Sequence, residues 1–309
     1  MPPTALITHT ACLYHETPPG HPESADRLRA VLQALSSHEF NELTKIDAPL
    51  VSVEQVTRVH PQSIVEAALG AVPDYGFAQI DGDTILSPGS GQAALRAAGA
   101  VVHGVDLVMG GQARNVFCAV RPPGHHAEPE AAMGFCLFNN VAIGALHARE
   151  AHGIGRVAVL DFDVHHGNGT QEAFARDPNL FFASTHQMPL YPGTGRAEER
   201  GAGNIHNVPL PYGAGSQAFR DAWSRVIFPA LDAFGPGFVL ISAGFDAHQR
   251  DPLANLNVLT SDFAWVTTEI CKISARHCEG RVVSTLEGGY DLSALAESAA
   301  AHVGALMKA

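Results

Sequence analysis

Four polar clusters in this chain combine residue types that bind metal ions and move protons: RPPGHH at 121–126, DFDVHHGNGT at 161–170, SAGFDAH at 242–248 and EGGY at 287–290. In the second cluster, side chains alternate as the chain leaves an extended run. Asp161, Asp163 and His165 therefore face one side, and Phe162 and Val164 the other. A lone Asp-x-His is more often a hydrogen-bonded strand end than a metal site. A second carboxylate, Asp246, changes that balance, because Asp163, His165 and Asp246 make a three-ligand set that leaves positions free for water and substrate. Two hard oxygens and one imidazole nitrogen suit Zn²⁺, Fe²⁺, Mn²⁺ or Co²⁺, and the donor types leave the choice among them open.

His125 and His126 follow a stiff Arg-Pro-Pro-Gly turn. Imidazoles near neutral pH serve as general base for an activated water and general acid for a leaving amine; taken alone, the pair reads equally well as packing histidines. Tyr290 follows Gly288 and Gly289, which permit a tight approach. Its phenol, aimed at a polarised carbonyl, would stabilise a developing oxyanion, whereas an isolated tyrosine is more commonly a core-edge residue.

These clusters need a scaffold that brings distant segments together. Short apolar, β-branched runs at 5–8, 116–120, 157–161, 180–185, 238–242 and 282–286 alternate with helical periodicity at 25–36, 91–109, 139–151, 217–233, 261–277 and 292–306. That alternation predicts a parallel sheet covered on both faces. Each polar cluster follows directly on a predicted strand, and ligands of open α/β sheets bind beyond the carboxyl ends of the strands. Convergence on one crevice is the central expectation. Glycine-rich segments such as Gly167-Asn168-Gly169 read as active-site loops or turns.

No repeat, low-complexity tract or linker divides the 309 residues, so a single domain over 1–309 is expected. The net charge of −12 disfavours nucleic acid and tolerates cationic substrates. Five scattered cysteines without a CxxC pair fit free thiols in a reducing, cytoplasmic setting. The start lacks a signal-peptide pattern, and no apolar run reaches the roughly 18 residues of a membrane span. A homo-oligomer is left open.

RPPGHHA, GFCLFNNVAIGA, VLDFDVHHGNGTQ, YPGTG, SAGFDAH, DPLA and LEGGY occur in this order, preceded by HTACLYHETPPGHPESADRL. Together they resemble the histone deacetylase and acetylpolyamine amidohydrolase superfamily, in particular its class II-like, bacterial branch. The resemblance implies an arginase/deacetylase-like three-layer α/β fold around a central, mostly parallel sheet of about eight strands. It also implies zinc-dependent removal of acetyl or short acyl groups from acyl-lysine or a related small amide, in which a metal-bound water attacks. Asp163, His165 and Asp246 match the zinc ligands, His126 the general base of the histidine pair, and Tyr290 the residue that steadies the oxyanion. Asp161 matches the carboxylate behind His125. Asn168 stands behind His126 where class I relatives carry aspartate, a neutral amide that orients the ring without stabilising its imidazolium as strongly.

The same resemblance assigns a potassium site to Asp161, Asp163, His165, Ser184 and Thr185. It assigns an acyl channel to Gly134, Phe135 and Tyr191, with Leu253, Gly288 and Gly289 beside it. The implied partner is an acetylated lysine peptide or a small acetylated amine. An acetylpolyamine deacetylase is the alternative; its gatekeeper acid is replaced here by Leu253, although other acidic loop residues such as Asp81 and Asp83 could supply the charge. A catalytically silent acyl-lysine-binding module is the alternative from another class. An arginase-like ureohydrolase would need a two-metal cluster that DVHHG and EGGY fit poorly.

Overall fold

The computed structural model describes residues 2–309. Ten strands form: β1 (Ala5–Thr8), β2 (Thr44–Asp47), β3 (Ala78–Gln79), β4 (Ile85–Leu86), β5 (Asn115–Cys118), β6 (Val157–Asp161), β7 (Leu180–Gln187), β8 (Ile205–Leu210), β9 (Phe238–Ala243) and β10 (Val282–Leu286). Eight of them make one sheet in the order β2-β1-β5-β10-β9-β6-β7-β8, and β3 and β4 make a separate hairpin. Every pairing in the large sheet is parallel. The central strands are buried throughout and mostly apolar, as in Phe238 to Ile241, because both of their faces are covered.

The helices Ser90–Met109 and Asn140–His152 pack on one another and on the strands β5, β6, β9 and β10. Leu292–Lys308 packs against Ala25–Ala34 and Thr260–Cys278. The small residues of the long helix, among them Ala97, Ala100 and Gly104, allow close approach to the sheet, where a Cβ at Gly104 would already press on Val283 and Val116.

The expected fold class is the observed one, with local differences. β2 and β8 escape the strand reading because they are sheet edges: β2 is largely exposed, and β8 carries His206, Asn207 and Pro209. Proline lacks an N–H for the ladder and is tolerated where one side has no partner strand. The segment 217–233 is helical but passes through one π-helical stretch, Trp223–Ile227. Asn168 does not sit in a turn; it opens the helix Asn168–Phe174. No helix among the described residues is long and apolar enough to cross a membrane.

Candidate active site

The strands β5, β10, β9, β6 and β7 are consecutive in the sheet and parallel, so their carboxyl ends share one edge. That edge receives His125 and His126 after β5, Tyr290 after β10, Asp246 after β9, and Asp161, Asp163 and His165 at and after β6. Ligand atoms of Asp163, His165 and Asp246 all lie within 4.8 Å of one another. His165 Nδ1 is 3.1 Å from both Asp163 Oδ1 and Asp246 Oδ2. The other carboxylate oxygens are anchored: Gly288 N–H donates to Asp163 Oδ2 at 2.8 Å and Val164 N–H to Asp246 Oδ1 at 2.8 Å. A Cβ on Gly288 would fall 2.1 Å from Asp246 Oδ2 and 2.6 Å from Asp163 Oδ2, so this position must be glycine for the two carboxylates to meet.

The electrostatics ask for a cation. Asp161, Asp163, Asp246 and Glu287 are fully or almost fully buried, a costly arrangement without positive charge nearby. Burial pushes Asp161 up to about 6 and Glu287 up to about 7. Burial, reinforced by the Asp163 charge, also raises Asp246. Burial disfavours a charged His165, but hydrogen bonds to Asp163 and Asp246 outweigh it and lift the ring to about 10. His165 Nδ1 and the Asp163 and Asp246 carboxylates thus converge where a metal ion would stand, and the donor set fits a divalent ion with open positions.

Asp161 turns its other chemistry toward the histidine pair. Its Oδ2 is 2.9 Å from His125 Nδ1, and its Oδ1 accepts from Asp163 N–H at 3.0 Å. Burial opposes protonation of His125, yet the carboxylates of Asp163 and Asp161 overcome it and hold the ring up at about 10. His126 differs. Burial and the neighbouring His125 and His165 keep it well below the ordinary imidazole value, and its Nδ1 faces only the neutral Asn168 Oδ1 at 2.8 Å. In sheet register Asp161 stands opposite Ser184 on β7; Ser184 Oγ is 2.9 Å from His186 Nδ1, and Thr185 Oγ1 accepts from Trp223 Nε1 at 3.2 Å. Among the described residues, no main-chain donor meets the carbonyls of Asp163 and His165.

A pocket of about 270 Å³ opens above this floor, lined by His126, His165 and Tyr290 with Asp83, Gly134, Phe135, Leu190, Tyr191 and Leu253. Gly288 and Gly289 are not on its wall. Gly288 lies beneath, against the carboxylates, and Gly289 accepts through its carbonyl from Arg27 Nε at 2.6 Å. Gly134 and Phe135 both adopt left-handed backbone, φ 58° and 68°. A Cβ at Gly134 would meet the His126 ring at 2.5 Å. Asp83 Oδ1 accepts from Gly134 N–H at 3.0 Å and Thr84 Oγ1 from Phe135 N–H at 3.1 Å, so the 83–84 loop holds the channel wall.

Several residues here carried no signal in the sequence. Glu287, read there only as part of EGGY, accepts from the N–H groups of Gly124 and His125 and ties the histidine turn to β10. Asp251 accepts from Tyr290 N–H at 2.7 Å and Leu253 N–H at 3.0 Å, and burial beside Asp246 raises it to about 7. Glu23 binds Arg121 through both oxygens, at 2.5 and 2.6 Å, and Arg27 at 3.0 Å, all three fully buried. Burial penalises the Glu23 carboxylate, but the Arg121 guanidinium holds it well below its usual range. The Arg27 guanidinium then lies 4.8 Å over the Tyr290 ring. Glu128 accepts from Asn168 Nδ2 at 2.7 Å.

A second group with ligand residue types, Asp106, His147 and His152, lies apart from these strand ends on the helices Ser90–Met109 and Asn140–His152. Arg58 Nη1 is 2.7 Å from His147 Nδ1. Arginine only donates, so that nitrogen offers its lone pair and Nε2 gives its hydrogen to Asp106 Oδ1 at 2.7 Å. The cluster is a satisfied hydrogen-bond network.

Residues 21–306 match the histone deacetylase domain. Histone deacetylase 10, chloroplastic, of Oryza sativa is 41% identical over 96% of this chain and 73% of its own length. The histone deacetylase-like amidohydrolase of Pseudomonas aeruginosa is 36% identical, covering 93% of this chain and 81% of that protein. The crystal structure of the HDA15 HD domain superposes with a TM-score of 0.94 at 35% identity, over 99% of this chain and 88% of that one. The chain belongs to the histone deacetylase family. It is a hydrolase acting on amide bonds, which sets aside the silent binding module.

Proposed function

We propose that this protein is a zinc-dependent deacetylase that removes acetyl or short acyl groups from acyl-lysine or a related small amide, its catalytic unit spanning residues 1–309. The observation that carries the reading is the convergence, around one pocket, of the Asp163–His165–Asp246 ligand set, the His125–His126 pair and Tyr290. Asp163, His165 and Asp246 would hold the divalent ion, which supplies Lewis acidity toward the amide carbonyl and water. The chain's own groups do the rest. Phe135 and Tyr191 flank the acyl-bearing stem and exclude water. His126, kept neutral, takes the proton of the attacking water. His125, raised against burial by the carboxylates of Asp163 and Asp161, stabilises negative charge and supplies a proton to the departing amine. Tyr290 donates its hydroxyl to the oxyanion as charge develops.

Asp161, Asp163, His165, Ser184 and Thr185 are proposed to hold potassium, supported by the unpartnered carbonyls of Asp163 and His165. A cytoplasmic location is supported by five free, buried cysteines. The apolar Leu253 on the pocket wall favours acyl-lysine. Asp83 on the same wall favours the second reading, an acetylated polyamine. A panel of fluorogenic acetyl-, trifluoroacetyl- and longer acyl-lysine peptides, assayed beside acetylated polyamines and small amides, separates the two. Preference for acyl-lysine supports the first reading. A higher kcat/KM on acetylpolyamines overturns it.

A further inference from the structure

We propose that Glu128 is a positioning residue that sets the tautomer of His126 by fixing the orientation of the Asn168 side-chain amide; this rests on the reading of His126 as general base. Asn168 lies between the two. Its Oδ1 is 2.8 Å from His126 Nδ1, while its Nδ2 is 2.7 Å from Glu128 Oε1 and 3.3 Å from Met133 Sδ. A carboxylate accepts hydrogen bonds and a thioether accepts weakly, so the end of the amide facing them must be the NH₂. The carbonyl end then faces His126, Nδ1 must carry the ring hydrogen, and Nε2 keeps the lone pair that takes a proton from water.

The reverse orientation shows what Glu128 prevents. With the amide turned over, Oδ1 would lie against the Glu128 carboxylate, two acceptors in contact. His126 Nδ1 would then meet a donor, its hydrogen would move to Nε2, and Nε2 could no longer take a proton from water. His125 needs no such intermediary, because Asp161 is itself acceptor-only. Asn168 alone is symmetric enough to choose either way, and Glu128 removes the choice. It does so at one remove, which leaves the negative charge distant from the ring and the His126 imidazolium less stabilised than a directly bonded aspartate would make it. The segment is braced for this: Glu128 N–H bonds to Ala131 O at 2.9 Å and Met133 N–H to Cys136 O at 3.1 Å, so the two acceptors for the amide stand on two successive hydrogen-bonded turns.

The test uses zinc-loaded full-length protein labelled with ¹⁵N-histidine, in which the His126 resonances are identified by their loss in His126→Ala. Wild type and Glu128→Gln, whose side-chain oxygen still accepts, are expected to show the Nδ1–H tautomer. Glu128→Ala is expected to populate Nε2–H and to lose kcat on an acetyl-lysine peptide by roughly tenfold to a hundredfold, with KM nearly unchanged. Adding Asn168→Asp to Glu128→Ala restores an acceptor-only neighbour and should bring Nδ1–H back. An unchanged tautomer or an unchanged kcat in a folded Glu128→Ala protein overturns the proposal. Wild-type turnover in His126→Ala would instead remove the general-base reading, while the tautomer measurement would still decide what Glu128 does.

Discussion

Asp161 Oδ2 lies 2.9 Å from His125 Nδ1, a contact between a carboxylate and an imidazole, both buried, that the adjacent His126 lacks. The two histidines touch, with ring centroids 4.0 Å apart, yet their pKa values are driven in opposite directions: against burial, the Asp163 and Asp161 carboxylates raise His125, while burial and the neighbouring His125 and His165 lower His126. Pushing two neighbouring groups apart in pKa is how one site provides both an acid and a base at a single pH.

Metal removal is expected to abolish hydrolysis, with Zn²⁺ or Co²⁺ restoring it. Because His165 must give up its proton to become a ligand, binding should release protons, and affinity should weaken as pH falls. Titration calorimetry in buffers of different ionisation enthalpy measures that release. Full activity in protein shown to be metal-free would contradict the ligand assignment.

Tyr290→Phe should lower kcat and kcat/KM together by ~10²- to 10³-fold, the usual cost of one oxyanion donor. Substrate binding should change little. An edge-of-core tyrosine would instead give near-normal turnover and a stability loss of about 1 kcal/mol. Steady-state kinetics and a thermal melt on the same variant distinguish the two.

Gly134→Ala combines a left-handed backbone with a methyl driven into the His126 ring. Strain of about 1–3 kcal/mol is expected in the melt. Activity should fall more than tenfold, since a small displacement of a catalytic group is costly. A variant with both wild-type stability and wild-type kcat would show that the wall at Gly134 yields freely.

His302 is buried between Thr267 Oγ1 at 2.6 Å and Ser284 Oγ at 2.8 Å, and burial lowers it from 6.5 to about 3. Its depressed pKa means that the unfolded chain binds a proton the folded chain refuses. The neutral ring's contribution is complete above pH 6.5 and is lost as pH falls from there toward 3. Between pH 7 and pH 4 the loss amounts to roughly 3 kcal/mol for this one group. Urea unfolding of wild type and His302→Gln at several pH values should show that much less pH dependence in the variant; identical slopes would place the titration elsewhere.

The buried strands inside the sheet were the most legible part of the sequence. β1, β6 and β10 begin and end where the apolar runs do, because buried parallel strands leave a continuous hydrophobic signature. The edge strands β2 and β8 were hidden for the converse reason. Asp163, His165 and Asp246 could be grouped because each follows its strand within a few residues. Glu23, Asp251 and Glu128 could not, since each acts on a neighbour chosen by the tertiary fold. Glu23 meets Arg121 from far away in the chain, and the position of neither residue reveals the other.

β10 follows the other strands of the sheet in chain order, yet it lies in the middle of the sheet, between β5 and β9. Without β10 the sheet order leaves β2-β1-β5 and β9-β6-β7-β8 with no strand to join them, and no place for Glu287 and Tyr290. The histidine turn has no Glu287 to grip until β10 is in place. The parts of the site that follow β10 can therefore join it only once that strand has been placed, and a chain cut short before β10 would expose the edges of β5 and β9, which invite a second molecule's strand.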